Sequence, residues 1–269
     1  MGRLDVRSAF LSISLSAAAV LMLAAPGAGA QERNCAGDAI EEAAKQVDKA
    51  RAALLALPVP GELDTAVSGE AKTGIALLKK RLGDLAAAYM NCAGGETAAG
   101  DVGRGLNASL DASVARGRAA AKGELSGAPL HGYARRLAFR AARPAGVAGL
   151  MAVTATFDIR CGEDAVLFVF ALENGGWKEA LRWQSPAYDE VSGAFWRFGY
   201  SIAPADAHGG WYVVVKSVSP WCTSNWRGTR YWALRPVPGA AQPKEILAGR
   251  AAIFLDGEEY GRLSAWAGG

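Results

Sequence analysis

MAVTATFDIRCGEDAVLFVFAL, residues 151–172, divides the chain into two kinds of structure. Val153, Ala155, Phe157, Ile159 and Cys161 alternate with Thr154, Thr156, Asp158 and Arg160. Side chains two apart share a face in a strand, so this half of the stretch predicts a half-buried strand. After the tight CGED, the run AVLFVFAL is apolar at every position. Such a run predicts a central strand covered on both faces.

Downstream the same period continues. Asn174, Gly175 and Gly176 turn the chain back into WKEALRW, where Trp177, Leu181 and Trp183 are expected on one side. AFWRFGYSI, GWYVVVKSV and TRYWAL supply three more strands, and AAIFL, Asp256-Gly257, EEYGRL reads as a two-residue hairpin. About eight strands with frequent turns predict a mostly antiparallel β domain over 130–269, closed as a sandwich or a curved barrel. All eight tryptophans of the chain lie in this half, from Trp177 onward.

Upstream the period is helical. Ile40, Ala43, Val47, Ala50, Leu54 and Leu57 form one stripe, and Ile75, Leu78, Leu82, Leu85, Tyr89 and Cys92 form a second. Pro58, Pro60 and Gly61 must end the first helix, so residues 31–92 predict an antiparallel helical hairpin. Two helices of similar length bring Cys35 and Cys92 to the same open end. The hairpin is therefore expected to be clamped by a Cys35–Cys92 disulfide, which leaves Cys161 to pair with Cys222. Residues 93–129 are glycine-rich and read as a flexible linker with a basic helix from about Asn107 to Lys122. The fold class is α+β.

The first thirty residues carry Arg3 and Arg7, an apolar stretch from Ala9 to Ala25, and the triplet Ala28, Gly29, Ala30. That order predicts a cleavable signal peptide and a periplasmic or extracellular protein with no stable membrane anchor after cleavage. An even cysteine count fits an oxidising compartment. The Ala-, Gly- and Arg-rich composition together with this leader fits a bacterial envelope. Removing Arg3, Asp5 and Arg7 lowers the formal charge from +3 to +2, so nothing global points to nucleic acid. Eight basic against three acidic residues between Asp101 and Arg143 are read as a solvated face.

Candidate chemistry is sparse. The chain has two histidines, His131 and His208, and no serine in a nucleophile elbow or S-x-x-K context. Asp206 with His208 is too small a set for a metal site, and no metal or cofactor is expected. Asp189 with Glu190, and Asp256 with Glu258 and Glu259, do not specify the opposed carboxylates of a glycosidase. What remains is SPWCTSNWRGTRYWALRP, residues 219–236. There Trp221, Trp226 and Trp232 can form an aromatic platform while Arg227 and Arg230 orient a negative group. If TRYWAL is a strand, Arg230, Trp232 and Leu234 share one face and Thr229, Tyr231 and Ala233 the other. The competing view has Trp221 and Trp226 covering the Cys161–Cys222 bond. The expectation is a noncatalytic binding protein whose partner is an envelope glycan, a peptidoglycan fragment or a protein. Its rivals are an envelope hydrolase with unidentified carboxylates and an assembly protein acting through the hairpin.

Overall fold

Three helices precede two four-stranded antiparallel sheets in a computed structural model of the chain. The structure describes residues 37–58, 67–120, 133–159, 162–186, 197–204, 210–220, 226–240 and 242–254. All of them belong to one unit, Arg33–Gly269. The leader over residues 1–30 and the Asp256-Gly257 hairpin lie outside the described residues.

Helix α1 spans Asp38–Leu55 and α2 spans Gly69–Cys92. The first helix stops short of Pro58, and Ser68 caps the second by accepting a hydrogen bond from the Ala71 amide at 3.2 Å. Both apolar stripes are buried: Ile40, Val47, Ala50 and Leu54 on α1, and Ile75, Leu78, Leu82, Leu85 and Tyr89 on α2. Helix α2 is also buried at Ala71, Lys79, Gly83, Ala86 and Met90, because it packs on α1 with one face and on strands with another. Cys92 is disulfide-bonded, and Cys35, Cys161 and Cys222 lie outside the described residues.

The helix expected from about Asn107 begins earlier, as α3, Ala99–Ala120. Its first turns contain Gly100, Gly103 and Gly105, which argued for a connector. Close packing explains two of them. A Cβ at Gly105 would lie 1.8 Å from the Tyr89 hydroxyl of α2, and one at Gly103 would lie 3.4 Å from the backbone of Ala141. Glycine here permits helix-to-neighbour approach, which outweighs its low helix propensity.

The first sheet is a meander of β1 (Leu137–Ala142), β2 (Leu150–Ile159), β3 (Gly162–Glu173) and β4 (Gly176–Gln184), in that order. Met151, Val153, Ala155, Phe157, Val166, Phe168 and Phe170 face the helices and share their core. Leu150, Ala152, Leu167 and Val169 point the opposite way, into a second core. The continuous apolar run of β3 is explained by this double coverage. Strand β1 was not singled out in the sequence, because only its Phe139 is fully buried.

Trp177 does not share a side with Leu181 and Trp183, contrary to the alternation. It belongs to the helix-side core, whereas Leu181 and Trp183 belong to the second core. The cause is a bulge. Val169 pairs with Leu181 but Phe170 pairs with Glu179, so Ala180 is an extra residue that reverses the faces of β4.

The second sheet repeats the meander with β5 (Arg197–Pro204), β6 (Trp211–Pro220), β7 (Trp226–Arg235) and β8 (Lys244–Phe254). Its Ile202, Trp211, Val213, Val215 and Leu234 join Leu167, Leu181 and Trp183 of the first sheet in the second core. The first sheet thus contributes to both cores, and the second sheet to one.

Candidate binding face and buried charge network

Of the five expected platform residues, Arg230 and Trp232 are the two whose side chains are described. Trp221 lies outside the described residues; Trp226 and Arg227 open β7, and their side chains lie outside them too. Trp232 is paired with Val215, and Leu234 with Val213, both of which are fully buried. Directly opposed residues share a face, so Arg230, Trp232 and Leu234 look toward the first sheet. Trp232 lies 5.4 Å from Trp183, tilted by 55°, and Trp183 stacks on Phe198 at 5.2 Å and 23°. Phe198 in turn meets Tyr200 at 6.1 Å, and burial raises the Tyr200 hydroxyl pKa above its ordinary value. This aromatic row belongs to the second core rather than to an open platform.

The other face of β7 carries Thr229, Tyr231 and Ala233. Tyr231 is 42% exposed, and its ring lies across Gly249 of β8: a Cβ there would sit 2.2 Å from the ring carbon Cζ. Glycine opposite an aromatic lets the ring rest on the neighbouring backbone. On the same face Tyr231 opposes Lys216 of β6, whose stem lies against Gly199 of β5, and Ala233 opposes the exposed Leu247 of β8. This outer face therefore presents a tyrosine, an aliphatic stem with its cation, and a leucine on one side of the sheet.

One side-chain group resembles a catalytic constellation that the sequence did not signal. Lys79 of α2 lies 2.8 Å from Asp164 of β3, with 5% and 0% of their side chains exposed. Lys79 Nζ also donates to Ser185 Oγ, just past β4, and Ser185 Oγ donates to Asp164 Oδ1 at 2.8 Å. The Ala165 amide donates to the same carboxylate oxygen at 2.7 Å. A lysine can activate a serine only through a free amine lone pair. Here Lys79 Nζ donates to the serine oxygen and the serine hydroxyl donates to Asp164, so the triangle ties α2 to the sheet. The pairing spans residues 79, 164 and 185, which explains why no motif announced it.

A cavity of about 370 Å³ opens at the end of the helical hairpin, lined by Ala53, Leu54, Leu57, Gly69, Glu70, Thr73 and Gly74. Among the described residues its lining holds a single carboxylate, Glu70, and no base beside a nucleophile. Among the described residues no group of three or more His, Cys, Asp or Glu could hold a metal ion, and no helix is long and apolar enough to cross a membrane. Asp206 with His208, Asp189 with Glu190, and the Asp256, Glu258 and Glu259 cluster lie outside the described residues. No protein-family model matches the chain, and no curated protein or solved structure matches it.

Proposed function

We propose that the chain is a secreted, noncatalytic binding protein whose recognition surface is the outer face of the second sheet. The observation that carries this reading is Tyr231, large, 42% exposed, and held against Gly249 with Lys216 opposite. A flat aromatic ring beside a hydrogen-bonding cation suits the apolar face and hydroxyl edge of a sugar. A glycan or peptidoglycan fragment of the envelope is the ligand class this chemistry favours. The signal-peptide pattern of residues 1–30 supports a periplasmic or extracellular site of action.

The same reading takes the two sheets to close as a sandwich, with the Cys35–Cys92 and Cys161–Cys222 disulfides holding the hairpin and the β domain. Cys92, the one cysteine among the described residues, is disulfide-bonded, which supports paired thiols. The test is a panel of envelope glycans and peptidoglycan fragments titrated against the intact protein and Tyr231→Ala. Saturable binding abolished by the substitution supports the proposal. Binding to none of the panel, or binding unchanged in Tyr231→Ala, sinks it.

A further inference from the structure

The charges of the second sheet are one-sided. Its four strands carry seven basic residues against one acidic residue, Glu245. Glu245 opposes the inward-facing Leu234, so its side chain belongs to the inner face. On the outer face Lys216 opposes Tyr231, and Arg235, one position beyond Leu234, opposes Lys244. Among the described strand residues that face therefore carries three cations and no carboxylate. Like charges set directly opposite each other destabilise a sheet, and a negative group bound over them offsets that cost.

The side chains also lean apart. Gly199, Lys216, Tyr231 and Gly249 form one row across β5, β6, β7 and β8. Lys216 Cε lies 2.9 Å from where a Cβ of Gly199 would be, and Tyr231 Cζ lies 2.2 Å from where one of Gly249 would be. Lys216 thus crosses onto β5 and Tyr231 onto β8, and a glycine at each end of the row makes room. Three strand spacings separate the two glycines, about 14 Å at about 4.8 Å each. A single sugar stacked on Tyr231 cannot reach the ammonium at the other end of the row.

We infer that the ligand of this face is a carboxylate-bearing oligosaccharide of at least two sugars, with one ring on Tyr231 and a carboxylate at Lys216. The inference rests on the reading of Tyr231 as a sugar platform and adds the charge and the length of what it binds. A hydrogen bond between charged partners is roughly twice as strong as a neutral one, so Lys216 selects a carboxylate over a hydroxyl. A peptidoglycan glycan strand without its stem peptides has this chemistry, because its lactyl groups then end in carboxylates.

Calorimetric titration of the intact protein tests it with four probes. They are N-acetylmuramic acid, the peptide-free peptidoglycan tetrasaccharide, the same tetrasaccharide with its carboxylates reduced to alcohols, and phosphatidylglycerol vesicles. The carboxylated tetrasaccharide is expected to bind at least tenfold tighter than its reduced form and than the monosaccharide. That advantage should shrink at about 1 M salt, where charges are screened beyond about 3 Å. Lys216→Met keeps the aliphatic stem over Gly199 and should remove most of the advantage, whereas Lys216→Arg should retain it. Because the ligands are compared first in the unaltered protein, the result does not depend on how any variant folds. Equal affinity for the carboxylated and reduced forms, or for the monosaccharide and the tetrasaccharide, overturns the inference while the tyrosine platform stands. An advantage that survives in Lys216→Met or in Tyr231→Ala also overturns it, because the charge is then read elsewhere. Binding to no saccharide removes the platform and this inference together, and binding to the vesicles alone overturns it in favour of an anionic lipid surface.

Discussion

Lys79 and Asp164 form a salt bridge at 2.8 Å in a place where both side chains are buried. Taking two charges out of water is costly, and their attraction offsets that cost only while both are present with their hydrogen bonds. Asp164→Ala is therefore expected to destabilise the protein by about 3–5 kcal/mol, because it strands the lysine beside Ser185. Lys79→Met combined with Asp164→Leu should recover much of that loss. Urea unfolding of the single and double variants measures it, and equal losses in both would contradict a purely structural pair.

Part-buried Asn107 and fully buried Ser217 allow opposite predictions for two polar groups. Asn107→Leu leaves the Phe139 amide and carbonyl unpaired at the edge of β1, and should cost about 2–6 kcal/mol at roughly 1–3 per group. Ser217 is fully buried, and its hydroxyl has no hydrogen-bond partner among the described residues. Ser217→Ala should be neutral or stabilising by up to about 1 kcal/mol. Thermal unfolding of both variants checks the contrast.

These residues also show where sequence reading stops. Period alone located the helical stripes and the doubly covered β3, because burial repeats at 3.6 or 2 residues along one segment. It failed at Trp177, where one bulged residue, Ala180, reverses the alternation. Asn107 and Lys79 were silent because their partners lie 32 and 85 residues away, at Phe139 and Asp164. The platform face was legible as two alternatives. The sequence separated Arg230 and Trp232 from Tyr231, and only the packing of Leu234 against Val213 decides which set turns inward.

Tyr89 and Tyr200 set an alkaline limit. Burial raises the pKa of both hydroxyls, and for Tyr89 the negative charge of Asp101 adds to it. A tyrosine whose pKa is higher folded than unfolded favours the folded state while neutral in both. That contribution is complete below the unfolded value of about 10 and is lost as pH rises from there through the folded value. Unfolding free energy should therefore decline above about pH 10, and Tyr89→Phe with Tyr200→Phe should flatten the decline. A pH series of urea midpoints up to pH 11.5 compares the two proteins.

The disulfide pairing has a direct readout. Peptide mapping without reduction should join Cys35 to Cys92 and Cys161 to Cys222. Cys35→Ser should then cost about 2–5 kcal/mol, within the range for loss of a native bond in a secreted domain. A link from Cys92 to Cys161 or Cys222 would refute the clamp on the hairpin.

Gly249→Ala separates the binding role of Tyr231 from a packing role. The added methyl would fall 2.2 Å from the tyrosine Cζ and Oη, so the ring must leave its position across β8. Because Tyr231 is 42% exposed, the ring has room to swing out. The cost in stability should stay under about 1 kcal/mol, the scale of one cross-strand pair. Affinity depends on orientation in a way that stability does not, since a displaced ring can no longer lie parallel to a sugar face. Gly249→Ala should then lose glycan binding nearly as fully as Tyr231→Ala, with an almost unchanged urea midpoint, while Tyr231→Phe retains binding. If Gly249→Ala binds like the unaltered protein, the fixed ring is not what the ligand recognises.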